Sequence, residues 1–175
     1  ATLPINTGST WKYLDNGSNQ GTAWKEVAFD DSTWASGPAE LGYGDGDEDT
    51  TVDCSAVANC NTNNYITTYF RKTFNVPDKS IYSGLNLSLL RDDGAVVYLN
   101  GTEVWRDNMP TGTVSYTTQA SSAISGTDET TFVNPASALA NTLVNGTNVL
   151  AVEIHQNLVT STDISFDLSL TGVPV

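Results

Sequence analysis

The sequence predicts an all-β fold of two antiparallel sheets packed face to face, and three observations predict it. Thr, Ser, Asn and Gly account for 70 of the 175 residues, a composition that favours strands and polar turns over helices. Several segments alternate apolar and polar residues with a period of two, as half-buried strands do. These segments follow one another across turn signals with no alternation of strand and helix patterns, so a parallel α/β sheet is excluded. At 39% apolar residues and 16 aromatics, the chain can bury one full core.

From Trp11 to Phe29 short apolar fragments are broken by Asn-Gly and Gly-Thr turns, and Phe29 to Trp34 places a polar turn between two large aromatics. This reads as chain wrapping the edge of a sandwich. An acidic loop, Glu40 to Asp53, leads into a cysteine loop and an Asn-rich run. Tyr65 to Val76 is the first long strand, with Tyr69, Arg71 and Thr73 on one side and Phe70, Lys72 and Phe74 on the other, stopped by Pro77. Leu85, Leu87 and Leu89 form the buried side of the next strand, and Asp92-Asp93-Gly94 turns the chain into Ala95 to Leu99. Asn100-Gly101 then makes a tight hairpin into Glu103-Val104-Trp105. A long loop follows, with an edge strand expected near Val114 to Thr118. Asn134-Pro135 reads as a helix start of about two turns, an N-cap followed by proline at the first helical position. Two strands end the chain, one with Leu150, Val152 and Ile154 on a face, the other with Ile164, Phe166, Leu168 and Leu170.

Seven Lys and Arg against 20 Asp and Glu give a formal charge of -13. Nonspecific nucleic-acid binding and binding to anionic membranes would work against this field, so neither is an expected partner; neutral glycans, cations and basic proteins stay open. No apolar stretch approaches the roughly eighteen residues of a membrane span, and no basic segment followed by an apolar one marks a leader. Cys54 and Cys60 stand in a polar loop with five residues between them. In an exported protein they would close a local disulfide, in a cytosolic one remain thiols. With one histidine and no third cysteine to finish a zinc site, the pair alone is weak evidence for a metal.

A series of motifs carries a resemblance: Trp11-x-Tyr13, Phe29-Asp30-Asp31-Ser32-x-Trp34, Gly37-x-Ala39-x-Leu41-Gly42-Tyr43-Gly44, Tyr69-Phe70-Arg71-Lys72-x-Phe74, Asp92-Asp93-Gly94-x-x-Val97-Tyr98-Leu99-Asn100-Gly101, and Asn148 to Gln156 closing on Asp163 to Leu168. The chain resembles galactose-binding-domain-like jelly rolls over nearly its whole length. The resemblance implies a jelly-roll sandwich, residues 1–175 forming a single module of a larger secreted protein, extracellular or at the cell surface and monomeric in isolation. It implies a noncatalytic role, binding a glycan or oligosaccharide for an attached enzyme or surface protein, or else packing against neighbouring domains of the parent chain. A structural calcium near the sandwich edge is also implied, with Asp30, Asp31, Glu40 and Asp167 as candidates; Asp30 and Asp31 serve equally well as turn caps.

The residues add a second cation candidate. Counting Asp45 as position 1, carboxylates fall at 1, 3, 5 and 9 (Asp45, Asp47, Asp49, Asp53) with the Thr51 carbonyl at 7, an oxygen-rich set suited to calcium. Thr50 at position 6 and Ala56 at position 12 exclude a true EF-hand. The alternative is a solvated acidic loop. A sugar needs an apolar platform with a polar rim. Trp24, Tyr43, Tyr65 and Trp105 are platform candidates, and Trp105-Arg106-Asp107-Asn108 the preferred rim, each aromatic having packing as its alternative. His155 is read as a structural histidine that orients the Gln156 to Asp163 loop. No nucleophile elbow, phosphate loop or dinucleotide motif is present, and a small hydrolase is the remote alternative.

Overall fold

The computed structural model describes residues 5–57, 60 and 62–175. Its strands in chain order are β1 (Thr10–Leu14), β2 (Ala35–Pro38), β3 (Leu41–Tyr43), β4 (Thr50–Thr51), β5 (Thr67–Val76), β6 (Tyr82–Asp92), β7 (Gly94–Leu99), β8 (Thr102–Asp107), β9 (Leu139–Ala140), β10 (Gly146–His155) and β11 (Ile164–Pro174). They build a six-stranded sheet ordered β2-β1-β5-β10-β7-β8 and a five-stranded sheet ordered β4-β3-β11-β6-β9. Among the described strands only β3 and β4 pair in parallel. The result is a two-sheet sandwich of jelly-roll type, as the period-two segments require. No helix among the described residues is long and apolar enough to cross a membrane.

Alternation decides which side chains meet between the sheets. Phe70 from β5, Leu85, Leu87 and Leu89 from β6, Leu150, Val152 and Ile154 from β10, and Ile164, Phe166, Leu168 and Leu170 from β11 all enter one core. At its centre Phe166 stacks on Phe70 at 4.3 Å and meets the edge of Trp11 at 4.9 Å.

The alternate residues of β5, β7 and β10 face outward from the six-stranded sheet, and several of them are buried too. Tyr69, Val96, Tyr98 and Ala151 join Trp24, Trp34, Met109 and Ala120 in a second apolar cluster. The chain between β1 and β2 and the loop after β8 supply that cover, so the Phe29 to Trp34 segment wraps a sheet face as well as an edge. Arg71 ties the cover down from below. Its Nε donates to Asp31 Oδ2 at 2.8 Å, its Nη1 to the carbonyls of Trp24 and Glu26, and its Nη2 to that of Phe29.

Two expected elements do not form. The Asn134 segment is extended: Asn134 Nδ2 donates to the Leu87 carbonyl, Val133 bridges Leu89, and Leu139–Ala140 pair with β6 as β9. Bonds to an open sheet edge outweigh a short helix whose cap residue is already committed. Val114 to Thr118 is a turn, closed by Thr118 N to Ser115 O at 3.0 Å, because burying Val114 and Tyr116 on the outer face takes precedence over edge pairing.

The Asp92-Asp93-Gly94 segment carries the chain between sheets, since β6 ends in one and β7 begins in the other. Gly94 is required there: a Cβ would lie 2.6 Å from Met109 Sδ and 2.7 Å from the Asn108 carbonyl. The Cys54–Cys60 disulfide is formed in the connection from β4 to β5. Replacing Arg71 by Met should cost about 3 kcal/mol, because the covering loop loses its charged clamp and Asp31 its partner; urea unfolding should show the lower midpoint.

Candidate functional site

At one end of the sandwich three distant segments converge. Pairing of β11 with β3 and β6 sets Ile164 opposite Tyr43 and Ser165 opposite Asp92, which brings the ends of β3, β6 and β11 together. Gly44, at φ +109°, lets the chain pass so close to the β10–β11 connection that a Cβ would lie 2.5 Å from the Thr162 carbonyl. Asp45 follows at once, and Ser165 Oγ donates to its Oδ2 at 3.2 Å. One carboxylate oxygen each from Asp45, Asp92 and Asp163 lie within 4.8 Å of one another. Asp92 is 0% exposed, and neither of its side-chain oxygens has a hydrogen-bond partner.

Its neighbour Asp93 is buried as well but satisfied. Its carboxylate accepts from Ile124 N at 2.7 Å and Asn157 N at 2.8 Å, stitching two loops to the crossover. The expected sugar rim lies alongside, with its polar groups committed to the scaffold. Arg106 forks onto Glu103 at 2.6 and 2.8 Å, and Asp107 pairs with Arg91 at 2.6 Å. Asn108 donates to the carbonyls of Asp93 and Ser122, while half-buried Trp105 packs against the inter-sheet core. Trp24 and Tyr43 are buried, Tyr43 accepting a bond from Gln156 Nε2. Tyr65 is half-buried, its ring where a Gly17 side chain would stand.

Of the expected cation ligands, Glu40, Asp45 and Asp47 form a second group within 4.8 Å. The carboxylates of Asp49 and Asp53 join neither group among the described residues, and Thr51 lies in β4, paired with β3. Glu48 folds back to accept from the Asp45 and Gly46 amides. Asp30 caps its own turn through Ser32 N at 2.9 Å, Asp31 holds Arg71, and Asp167 accepts from Gly8 N and Leu168 N. Each of these three has its own hydrogen-bonding task, and Asp167 lies on β11, away from the Asp30–Asp31 turn in sequence. Asp92 and Asp163 were not singled out as ligands in the sequence. The signal available was an Asp-Asp doublet directly after a leucine-rich strand, where buried positions are expected.

Crowding raises the carboxyl pKa values here. Burial, then the nearby charges of Asp47, Asp45 and Glu48, pushes Glu40 up to about 7 despite a bond from Ser165. Burial, then Asp45, Glu129 and Asp93, pushes Asp163 up to about 6. Asp92 is raised strongly, by burial first and by its contact with Asp93 next.

A second feature lies on the covered face of the six-stranded sheet. A recess of about 250 Å³ is lined by Asn19, Thr22, Tyr69, Val114, Tyr116 and Glu153, among others. Glu153, 6% exposed, accepts from Tyr98 OH at 3.2 Å and stands 3.3 Å from His155 Nε2. His155 Nδ1 lies 2.6 Å from the Thr118 carbonyl and 3.1 Å from Thr67 Oγ1. The histidine is thus a strut beneath the loop after β8, and the Gln156 to Asp163 connection is held instead by Asp93.

No protein-family model matches the chain, and no curated protein matches it either. Solved structures do. Bacteroides uniformis β-glucuronidase 2, covalently bound to cyclophellitol-6-carboxylate aziridine, matches over 99% of this chain and 18% of its own, with 20% identity and a TM-score of 0.57. A calcium binding mutant of that enzyme matches with 18% identity and a TM-score of 0.55. The β-glucuronidase of Ruminococcus gnavus in complex with D-glucuronic acid matches over 99% of this chain and 29% of its own, with 12% identity and a TM-score of 0.55. The likeness is one of fold. This chain spans less than a third of the length of these glycoside hydrolases.

In the presence of chelator, thermal unfolding should give a lower Tm at pH 7.5 than at pH 5. A carboxyl whose folded pKa is raised binds more protons in the folded state, so its stability is full below the unfolded value and is lost as pH rises through the folded one. For Glu40 and Asp163 that window runs from roughly 4 to 7.

Proposed function

We propose that this chain is a noncatalytic carbohydrate-binding module of a larger extracellular protein, and that a sugar ring sits in the recess over Glu153. One observation carries this reading. Val114 and Tyr116 give the recess an apolar wall, Glu153 a buried acceptor, and Asn19 and Thr22 a polar rim, the combination that sugar recognition requires. The fold likeness to short stretches of glycoside hydrolases supports a place within a longer chain. The disulfide supports an oxidising compartment. A net charge of -13 with a carboxylate at the base of the recess favours a neutral glycan over an acidic one. His155 serves as a strut rather than a free base, which supports the noncatalytic half. Calcium belongs to this reading as a structural ion that orders loops.

A second reading, a module that packs against neighbouring domains and binds no sugar, is favoured by the internal commitments of Arg106, Asp107 and Asn108. A glycan array followed by calorimetry separates the two. Saturable binding of a neutral glycan, weakened about tenfold or more by Tyr116→Ala and by Glu153→Gln and with no turnover, is the expected result. Loss with Trp105→Ala instead would move the ligand to the Trp105–Asn108 rim. An array without binders, together with affinity for an adjacent domain of the parent protein, would favour the second reading.

A further inference from the structure

Acidic groups crowd many protein surfaces, and the Glu40, Asp45 and Asp47 group, with two of its three members exposed, is explained by solvation alone. The Asp45, Asp92 and Asp163 group differs in one respect. Asp92 is 0% exposed, and neither of its carboxylate oxygens receives a bond from an N–H or O–H donor, while the carboxylates of Asp45, Asp163 and the adjoining Asp93 crowd it. A buried carboxylate without partners is costly, and two like charges beside it add to the cost. The basic group adjoining it in sequence, Arg91, directs its Nε to Asp107. Meanwhile the surrounding chain is arranged to hold the three acids together: Gly44 permits the close approach of two strand ends, and Asp93 bonds two loop amides.

We infer that Asp45, Asp92 and Asp163 bind one calcium ion, which clamps the ends of β3 and β6 and the β10–β11 connection. The ligand chemistry selects the ion. All three donors are hard oxygens, which exclude a zinc preference. The three oxygens lie within 4.8 Å of one another, close enough to share one ion, and carboxylates from three separate segments suit the flexible shell of calcium better than the near-ideal octahedron that magnesium demands. Three carboxylates fill only part of a calcium shell of about six to eight oxygens. The remaining positions open past exposed Asp45 to water or to ligand hydroxyls. The site deepens the structural-calcium part of the proposed function, but it shares no residue with the sugar recess, and calcium uptake is tested without sugar.

The test is calcium titration of the purified, chelator-treated chain without glycan, by calorimetry and by terbium luminescence. One ion per chain is expected, with a Tm that rises with calcium concentration and a weaker response to magnesium. Asp92→Asn should weaken calcium binding about 100-fold or more while the Tm of the chelated protein is unchanged or higher, because an amide of the same shape cannot add to the like-charge repulsion among the acids. Asp163→Asn, at a half-buried position, tests the same site should the Asp92 variant fail to fold. Asp47→Asn should leave affinity within about threefold. The inference is overturned if the wild-type chain shows no saturable uptake at millimolar calcium, or if Asp47→Asn abolishes binding that Asp92→Asn and Asp163→Asn retain.

Discussion

The chain crosses from the five-stranded sheet to the six-stranded sheet through a single residue, Asp93, and much of the molecule is arranged around that crossing. Sheets in a sandwich stand about 10 Å apart, so so short a link draws both strand ends into the interior. Backbone groups there lose water and need partners. The Asp93 carboxylate serves two amides of neighbouring loops, and Asn108 from the end of β8 donates to the Asp93 carbonyl. Gly94 leaves room for Met109 and Ala120. Asp92, the last residue of β6, has its carboxylate buried by the same geometry. The unusual electrostatics of this end of the molecule follow from the topology of the crossing.

The second organising feature is that the central strands of the six-stranded sheet, β5, β10 and β7, carry buried side chains on the outer face as well. Covering the outer face with non-repetitive chain is costly, because loops carry backbone groups with no ladder to satisfy them. Arg71 meets part of that cost, offering a fork of donors to three carbonyls and one carboxylate. Thr67 and His155 do the same for the loop after β8, through the carbonyls of Tyr116 and Thr118. Between the two covering loops the sheet stays partly open, and there Glu153 meets the tyrosines. The recess is a by-product of how the cover is divided, and its chemistry comes from residues that a period-two strand had to point outward.

Scarce positive charge is spent internally. Arg71, Arg91 and Arg106 are in ion pairs, Lys12 and Lys72 reach backbone carbonyls, and Lys25 lies over the Tyr98 ring at 4.4 Å. What remains for the exterior is strongly acidic. Such a surface carries a negative field that acts on any charged molecule approaching it.

Much of the fold was legible in the sequence. Phe70 and Tyr69 point to opposite sides of β5 as the alternation requires, Asn100-Gly101 closes the β7–β8 hairpin, and the leucines of β6 and the apolar side of β11 meet in the core. Strand periodicity and turn chemistry are local properties, set by sterics between near neighbours, and so the sequence alone determined the sandwich and its strand faces, whereas the choice between a disulfide and two thiols at Cys54 and Cys60 was decided by the structure. The helix expected at Asn134 and the strand at Val114 failed because both depended on what lay alongside: an open edge of β6 in one case, an apolar sheet face in the other. The same limit governs the site. Asp45, Asp92 and Asp163 span more than a hundred positions, and only strand pairing brings them within 4.8 Å. Burial and the meeting of charges are properties of the packed molecule, since a carboxylate is indistinguishable from its solvated neighbours until the tertiary structure removes the water around it.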